Sequence, residues 1–394
     1  MNFENLNYLV VGAGFFGAVI AERIANDLNE RVAVLDKRGH LGGNSHSAID
    51  PASQIEIHTY GSHIFHTNNL AVWQYINRFS LFNNYRHKVL STHLDRVFPM
   101  PINLETINSF YGIKLNPWEA KDFLAREAAK SNIINAKNLE ERAIQQIGKP
   151  LYEAFIKGYT LKQWGVEPTT LPSSIIDRLP VRTNYNGAYF DDEWQGIPSE
   201  GYGKLFEKIL KHRNIDVYLN SDYFVLQDKI PKKCLIIYTG PIDRYFNYKY
   251  GALGWRSLDF QKETISRTDY QGTAVMNYAD ASVPHTRIHE FKHYHPERAA
   301  YHMPTTVIFR EYSKTAVKGE DPYYPMNLDS DKERLGLYKK EADGLESIIF
   351  GGRLGSYKYY DMHQVIASAL VKYEKMIKPR LPKKNYVESS SKAF

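Results

Sequence analysis

The chain has 394 residues, of which 43% are hydrophobic and 13% aromatic, so it is long enough for two or three packed domains. Its 50 basic and 44 acidic residues leave a net charge of +6 without a dense Lys/Arg block, which favours small anionic ligands over nucleic acid. One cysteine excludes an intrachain disulfide, and the absence of a long apolar run or a signal peptide predicts a cytoplasmic protein without membrane insertion.

The first predicted elements form a strand–helix–strand unit around a glycine-rich turn. Residues Asn7 to Val11 have the pattern of a buried strand, Phe16 to Leu28 that of a helix, and the stretch RVAVLDKR that of a second strand. The turn between the first two elements reads GAGFFG and matches the G-x-G-x-x-G fingerprint of dinucleotide sites. The alternative is a glycine-rich turn that binds no ligand.

Each glycine of this turn has a predicted role. Gly12 permits the tight turn, Gly14 lets the backbone approach a pyrophosphate, and Gly17 lets the helix pack on the strand. The helix N-terminus adds free N–H groups, and Asp36, at the end of the second strand, can accept hydrogen bonds from ribose hydroxyls. The Gly-Gly-Asn stretch that begins at Gly42 is more typical of flavoproteins than of NAD dehydrogenases, so FAD is the predicted cofactor.

The middle of the chain changes character twice. Helical periodicity dominates between Pro101 and Gly158, and loops with short strands are predicted between Pro168 and Gly203. A helix (YGKLFEKIL) and a strand (KKCLIIYTGP) follow, and short runs of Tyr, Thr, Val and Phe between Tyr245 and Met326 indicate antiparallel sheet.

The last part of the chain returns to strand, turn and helix in the stretch IIFGGRLGSYKYYDMHQVIASAL. Gly351, Gly352 and Arg353 end the strand, Asp361 can cap a helix that starts near Met362, and Arg353 can meet a phosphate or a ring carbonyl. We therefore expect both ends of the chain to join one sheet and to close around a single dinucleotide.

The predicted fold class is α/β, with an FAD-binding Rossmann-like domain interrupted by a helical domain and an antiparallel β-sheet domain. The FAD-binding domain is predicted to comprise 1–80, 201–241 and 325–385. The sheet domain is predicted to comprise 81–102, 159–200 with a mobile lid loop, and 242–324; the helical domain is 103–158 and the tail 386–394.

One motif is typical of a metal site rather than of a dinucleotide site. His289, Glu290 and His293 fit H-E-x-x-H, the zinc-protease signature, which needs both histidines on one face of a helix. Pro284 and Pro296 bracket a stretch rich in strand-like side chains, which leaves poor room for such a helix. We therefore predict no metal site.

Ten stretches in order along the chain resemble the bacterial UDP-galactopyranose mutase family. They are GAGFFGAVIAERI, LGGNSH, YGSHIFHT, PMPINLETIN, LYEAFIKGYTLKQWG, LPSSIIDRLPVRTNYNGAYF, YTGPIDRYF, TRIHEFKH, DPYYPMN and GGRLGSYKYYDMHQVI. The resemblance implies a flavin-dependent isomerase that interconverts UDP-galactopyranose and UDP-galactofuranose for cell-surface glycans. The resemblance further implies that only the reduced FAD is active, through an adduct between flavin N5 and sugar C1.

The resemblance also assigns residues to the substrate and the cofactor. Arg178, on a mobile loop, and Arg287 are the catalytic pair that neutralises the pyrophosphate. The other substrate-binding residues implied are Phe155 and Tyr159 at the uracil, Thr160, Asn277, Trp164 on the lid side, and Tyr189, Tyr324 and Tyr359 at the phosphates. The implied cofactor-binding residues are Gly12, Gly14, Phe15, Phe16, Gly17, Asp36, Lys37, Gly43, Asn44, His63, Ile64, His66, Arg256, Arg353, Asp361 and Met362.

Some alternatives stay open at this point. Without the resemblance, Phe155, Trp164 and Arg256 would be assigned to packing or to the surface. Ser62 stands where the family commonly has Pro, and Thr183 where an aromatic or apolar residue is common, which leaves the sugar less defined than the reaction. The alternative functions are an FAD amine oxidase-like oxidoreductase and a non-catalytic flavin-binding module. The resemblance further implies a homodimer and NAD(P)H as reductant.

Overall fold

A computed structural model describes residue 1 and residues 3–380, apart from the side chain of Arg178. The tail predicted at 386–394 and the end of the predicted segment 325–385 lie outside the described residues. The strands are β1 (Tyr8–Val11), β2 (Val32–Leu35), β3 (Ser47–Ile49), β4 (Glu56–His58), β5 (Phe65–Thr67), β6 (Val89–His93), β7 (Arg96–Met100), β8 (Trp194–Gly196), β9 (Ile215–Tyr218), β10 (Leu235–Tyr238), β11 (Trp255–Ile265), β12 (Val275–Tyr278), β13 (Arg287–Glu290), β14 (Thr306–Thr315), β15 (Tyr324–Pro325) and β16 (Ile348–Phe350).

The helices alternate with these strands at both ends of the chain and cluster between β7 and β8. They are α1 (Phe15–Arg23), α2 (Leu70–Ile76), α3 (Leu104–Tyr111), α4 (Pro117–Ala129), α5 (Leu139–Leu151), α6 (Gly158–Trp164), α7 (Gly201–Ile209), α8 (Tyr223–Leu226), α9 (Ile242–Tyr245), α10 (Asp329–Ala342), α11 (Gly352–Ser356) and α12 (Met362–Lys372). No helix of the described residues is long and apolar enough to cross a membrane.

The first sheet has five parallel strands in the order β16-β10-β1-β2-β9. Its central strands are apolar on both faces, as expected for a parallel sheet covered by helices; Leu9, Val10, Val34 and Ile237 are fully buried. Strands from both ends of the chain pair with β10, so the prediction that both ends join one sheet is confirmed. The carboxyl ends of β1, β2, β10 and β16 meet at one edge.

The second sheet has seven strands in the order β15-β11-β14-β13-β12-β6-β7. Its pairings are antiparallel, with one difference from the prediction: β6 pairs with β12 in parallel. A parallel pair needs a long connection, and the chain between β6 and β12 provides one, because it runs through the helical segment and through β9 and β10 of the first sheet. The paired strands β11 and β14, of 11 and 10 residues, are also longer than the predicted short runs. Together, the two sheets confirm the predicted α/β fold class.

The helical segment runs from α3 to α6, and local capping explains where several of its helices begin. The Asn116 side chain accepts a hydrogen bond from the Glu119 N–H at 3.0 Å, and the Glu119 carboxylate accepts one from the Asn116 N–H at 2.8 Å. Pro117 occupies the first position of α4, where its missing N–H has no cost. A π-helical turn, Tyr152–Lys157, joins α5 to α6 and carries the chain back towards the second sheet.

Candidate active site

The glycine-rich turn after β1 is built as its sequence predicts. Gly12 has φ +107°, and a Cβ on it would overlap the Thr239 hydroxyl, while a Cβ on Gly17 would overlap the Gly12 carbonyl oxygen. At Gly14 the nearest atoms to such a Cβ lie 3.9 Å away, so a Cβ would clash with no protein atom, and Gly14 itself lines a cavity. The N-terminus of α1 therefore faces a cavity that a diphosphate can approach.

This cavity lies at the edge of the first sheet, where the carboxyl ends of its strands meet. It is lined by predicted cofactor residues from both ends of the chain: Gly12, Gly14, Phe15, Phe16, Asp36, Lys37, Gly43, Asn44, His63, Arg353 and Met362. Ligand sites of open α/β sheets lie at this edge, and the cavity thus provides a helix N-terminus, an acidic group and cations for a dinucleotide.

Asp36 is held in place by the backbone around it. Its carboxylate accepts hydrogen bonds from the Ala13 N–H at 2.8 Å and from the Arg38 N–H at 2.9 Å. A carboxylate has about four lone-pair sites, so it can still accept from hydroxyl groups of a ribose. Arg38 donates to the Asn44 side chain at 2.9 Å and pairs with Asp321 at 2.8 Å, which fixes the outer wall of the cavity.

The other predicted cofactor residues have different surroundings. Ile64 is buried, and His66 stacks on Phe190 at 3.7 Å and contacts the Asp192 carboxylate at 2.6 Å. Asp361 is the N-cap of α12. Among the described residues, Gly17, Ile64, His66, Arg256 and Asp361 are not part of the cavity lining.

Arg256 is buried and its guanidinium is satisfied by the protein. It donates to the Gln163 carbonyl at 2.8 Å, to the Thr315 hydroxyl at 2.7 Å and to the Lys162 carbonyl at 3.2 Å. These contacts join α6 to the second sheet, which agrees with the packing interpretation, and a role at the flavin stays a proposal.

Arg287 is the centre of a second group of polar residues, on β13 of the second sheet. Its guanidinium donates to the Tyr159 hydroxyl, and its Nε lies 3.3 Å from the Glu311 carboxylate. Tyr189 and Tyr324 also interact with it electrostatically. The side chain is 26% exposed, so the cation remains accessible to an anionic ligand.

The charges around Arg287 are fixed by burial and pairing. Burial alone would raise the pKa of Glu311, but the Arg287 charge and the His289 hydrogen bond lower it to about 2. Burial raises the pKa of Tyr159, so its phenol stays protonated. The site therefore holds one carboxylate, one guanidinium and neutral hydroxyl donors at neutral pH.

A pair of tyrosines connects this site to the cofactor cavity. Tyr324 and Tyr359 stack with their ring centroids 5.4 Å apart. The Arg353 guanidinium lies 5.9 Å from the Tyr324 ring centroid and 5.4 Å from that of Tyr359, and Arg353 itself lines the cavity. An anion bound at Arg287 would therefore lie beside the dinucleotide site.

Asn277 is placed directly opposite Arg287 by the pairing of β12 and β13. Its side-chain oxygen is buried and accepts no hydrogen bond from the described residues. A buried polar atom without a partner costs free energy, and binding of a substrate group by this amide stays a proposal.

Phe155, Thr160 and Trp164 are buried on the helical side. Phe155 packs edge-on against Phe98, at a centroid distance of 5.0 Å, and against Phe110 at 5.6 Å. This environment fits the packing interpretation of Phe155, and stacking on a base stays a proposal.

The predicted lid segment contains a short 3₁₀ helix, Ser173–Arg178. The Arg178 side chain lies outside the described residues, so its predicted contact with the pyrophosphate has no structural description. Asp177 pairs with Arg142 of α5 at 2.8 Å, and this ion pair holds the segment against the helical part of the molecule.

The H-E-x-x-H motif does not lie on one helix. His289 and Glu290 end β13, and His293 lies in a 3₁₀ turn, Phe291–Tyr294. His289 contacts Glu311 at 2.9 Å, whereas the His293 Nε2 atom lies 3.3 Å from Glu290 and 3.4 Å from Asp269. The two histidines therefore contact different side chains, and they do not form the geometry of a helical zinc site.

Sequence reasoning missed several residues of both sites. Arg38, Thr239, Arg244 and Asp321 line the cofactor cavity, and Glu311 is the carboxylate partner of Arg287. Thr239 follows β10 in the stretch CLIIYTGP. The end of this third strand, at the same edge of the sheet, could have indicated that Thr239 lines the cavity. No sequence signal indicated Glu311, because its pairing with Arg287 depends on the register of β13 and β14.

Known proteins resemble this chain over nearly its whole length. A family model described as UDP-galactopyranose mutase matches residues 154–359, and one described as NAD(P)-binding Rossmann-like domain matches residues 10–79. The chain is 43% identical to a probable UDP-galactopyranose mutase of Klebsiella pneumoniae, covering 93% of this chain and 94% of the relative. It is 37% identical to a dTDP-fucopyranose mutase of Escherichia coli, covering 92% of this chain and 96% of that relative.

The solved structures agree at the level of the fold. A structure of reduced UDP-galactopyranose mutase matches with a TM-score of 0.72 at 14% identity, covering 94% of this chain and 95% of that one. A putrescine oxidase variant matches with a TM-score of 0.55 at 11% identity, covering 94% of this chain and 99% of that one.

Proposed function

The chain belongs to the UDP-galactopyranose mutase family, and from that premise we propose that it interconverts the pyranose and furanose forms of a nucleoside-diphosphate hexose. UDP-galactose is the first expected substrate, and FAD the expected cofactor. The observation that carries the proposal is the position of Arg287: an accessible guanidinium among tyrosines, joined through Tyr324 and Arg353 to the dinucleotide cavity.

The residues of the cavity fit an FAD molecule. The space beside Gly14 and the N-terminus of α1 would accept its diphosphate, and Asp36 a ribose. Arg353 would face the part of the cofactor nearest to Tyr359. The chemistry that reduced FAD supplies when bound is nucleophilic attack at the anomeric carbon of the sugar.

The protein's own part in this reaction is electrostatic and positional. Arg287 would neutralise the diphosphate as the sugar–phosphate bond breaks, and Glu311 would hold that guanidinium in place. Tyr159, with its raised pKa, would keep a proton to donate to a phosphate oxygen. Arg178, carried by the lid segment, is proposed as the second cation.

The identity of the nucleotide sugar is part of the proposal. One relative is named for UDP-galactopyranose and another for dTDP-fucopyranose. The two substrates differ in the base, in the ribose and at C6 of the hexose, so the same reaction class covers both. UDP-galactose is preferred because the identity to the relative named for it is higher, 43% against 37%, and dTDP-fucose is the second candidate.

The amine-oxidase alternative rests on fold alone. The match to a putrescine oxidase variant, at 11% identity, carries no information on substrate. A protonated amine would also be repelled by Arg287, whereas a diphosphate is attracted. Hydrogen peroxide formed on adding an amine would support the oxidase instead.

The proposed biological setting comes from the family resemblance. We propose a homodimer in the cytoplasm, reduced by NAD(P)H, whose furanose product enters cell-surface glycans. The oligomeric state, the location, the reductant and the use of the product go beyond the reaction class, and each needs its own experiment.

The direct test is chromatographic separation of the sugar isomers. Purified holoprotein reduced with dithionite is incubated with UDP-galactopyranose, and in parallel with dTDP-fucopyranose. We expect a furanose product from one of them and nearly none without reductant. A reduced holoprotein that leaves both sugars unchanged would contradict the proposed function.

A further inference from the structure

Ser62 stands where the resembled family commonly has proline, and its hydroxyl begins a line of two hydrogen bonds that ends in the ion pair between Glu311 and Arg287. The Ser62 oxygen lies 2.5 Å from Nδ1 of His289, and Nε2 of His289 lies 2.9 Å from the Glu311 carboxylate. Glu311 in turn pairs with the Arg287 Nε at 3.3 Å. The side chains of His289 and Glu311 are 1% and 2% exposed, so water does not substitute for these contacts.

The direction of each hydrogen bond follows from its acceptor. With a pKa of about 2, Glu311 is ionised and can only accept, so Nε2 of His289 must carry a proton and donate it. Burial lowers the pKa of His289, which is therefore neutral and has an accepting Nδ1. The Ser62 hydroxyl then donates to Nδ1, and the Tyr294 hydroxyl, which contacts Ser62, donates to the serine oxygen.

One end of this line adjoins the dinucleotide cavity, and the other end is Arg287. Ser62 precedes His63, which lines the dinucleotide cavity, and Arg287 is the cation of the anion site. Thr286 also donates to Glu311 at 3.0 Å, so the glutamate carboxylate is held from several directions. His289 is the contact that links it to the Ser62 loop.

We propose that Ser62 and His289 are positioning residues that orient Glu311, and through it Arg287, for the diphosphate of the substrate. This inference rests on the proposed function, because Arg287 must be the residue that binds the diphosphate. A serine hydroxyl can donate to His289 and a proline cannot, so the relay belongs to this chain rather than to every member of the family.

The relay predicts a loss of diphosphate affinity when its first donor is removed. In Ser62→Ala, the His289 ring loses the partner that fixes its orientation, and UDP affinity should fall about fivefold, the value of one net hydrogen bond. Ser62→Thr keeps a hydroxyl and should stay within about twofold of the wild type. The control is Ser53→Ala, since the Ser53 hydroxyl also donates to a side chain, that of Asp50 at 2.7 Å, but away from Arg287.

A second variant removes the middle of the relay. His289→Gln can still donate an amide N–H towards Glu311, but it has no ring Nδ1 to accept from Ser62. We expect a loss of UDP affinity similar to that of Ser62→Ala, and no further loss when both changes are combined, because both interrupt the same line.

The test is calorimetric titration of the oxidised holoprotein variants with UDP and with dTDP, alongside FAD content and the melting temperature. Ser62→Ala is also made in an Arg287→Ala background, where it should cause no further loss of affinity. In the reduced enzyme, KM should rise while kcat changes by less than about twofold. A purely structural role of Ser62 would lower the melting temperature or the FAD content and leave affinity for either nucleotide unchanged.

Two results would overturn the relay: unchanged affinity in Ser62→Ala, or the same fold loss with and without Arg287. Failure of the proposed function is seen separately, as a wild-type enzyme that binds UDP or dTDP but isomerises neither sugar. In that case the coupling between Ser62 and Arg287 is still measured by binding.

Discussion

Arg287 is held between the Tyr159 hydroxyl and the Glu311 carboxylate, and it is 26% exposed. Removing it in Arg287→Ala leaves Glu311 buried with no cation, and leaves the diphosphate without its proposed partner. We expect kcat/KM to fall about a hundredfold or more, in line with the loss of a buried charge pair. FAD content should be unchanged, because Arg287 is not part of the dinucleotide cavity lining.

The control for this variant is Arg310→Ala. Arg310 lies on the neighbouring strand β14 and pairs with Glu263 at the surface, so turnover should be retained. Isomer formation is measured by chromatography at several substrate concentrations. Equal losses of kcat/KM in both variants would show that Arg287 acts through the overall charge of the protein rather than by binding the diphosphate.

Buried histidines make the stability of the protein depend on pH. Burial lowers the pKa of His58 and of His87 from 6.5 to about 3. Below about pH 6.5 the unfolded chain therefore takes up protons that the folded chain does not, and the free energy of unfolding falls as pH decreases. Urea unfolding at pH 7, 6 and 5 should show this loss.

His87→Gln should reduce the slope of stability against pH, because one fewer buried imidazole has to stay neutral. His302→Gln, at an exposed position, should leave the slope as in the wild type. Stability that is constant between pH 7 and pH 5 would contradict the assignment of neutral buried histidines.

At the scale of elements, the segment Ser173–Arg178 is the proposed lid, and it is held to α5 by the Asp177–Arg142 pair. Exposed ion pairs contribute about 0–1 kcal/mol, so this contact allows the segment to move when a ligand binds. Trypsin cleaves after arginine, so the bond after Arg178 is the readout; the Arg182 side chain is engaged with the Ala188 carbonyl and the Asp191 carboxylate, both at 2.6 Å. We expect UDP to slow cleavage at the bond between residues 178 and 179.

Cleavage after Lys137, an exposed residue before α5, is the internal reference and should not respond to UDP. The two products are followed by mass spectrometry over time. If cleavage after Arg178 is equally fast with saturating UDP, the segment does not close over the nucleotide.

Elements with strong local signals could be predicted from the sequence. The Asn116–Pro117–Glu119 start of α4 and the apolar run of β1 are specified by neighbouring residues. The parallel pairing of β6 with β12 could not be predicted, because it joins residues almost 200 positions apart. The role of Glu311 could not be predicted either, because Glu311 meets Arg287 only through the pairing of β13 with β14.

At the scale of the whole molecule, the cofactor cavity requires the end of the chain to pack on its beginning. A Cβ at Gly351 would overlap the ring of Phe16 in α1. Gly351→Val should therefore displace α11 and Arg353 from the cavity and lower the FAD occupancy of the purified protein. Absorbance of the flavin relative to that of the protein measures the effect.

Gly336→Ala is the matched control, because a Cβ at this helical position meets no other atom within 4 Å among the described residues. Replacing glycine by alanine within α10 should leave FAD occupancy unchanged and increase stability by about 0.5–1 kcal/mol. Full FAD occupancy in Gly351→Val would show that the chain end is not needed at the cavity.

The joining of both chain ends in one sheet was predictable because each end carries its own strand–turn–helix signature. The continuity between the two sites was not, since it depends on Tyr324, Tyr359 and Arg353, which come together only when both sheets are in place. Local sequence specifies the glycine-rich turns, and the packing of distant segments specifies what lies next to them.

The strand β10 lies between β1 and β16 and is made more than 220 residues after β1. During synthesis on the ribosome, the glycine-rich turn therefore emerges long before its neighbours, and the residues around Arg353 emerge last. Capture of the flavin has to wait for nearly complete translation. Nascent chains that stop early should accordingly bind no flavin, whereas chains that extend beyond β16 should bind it.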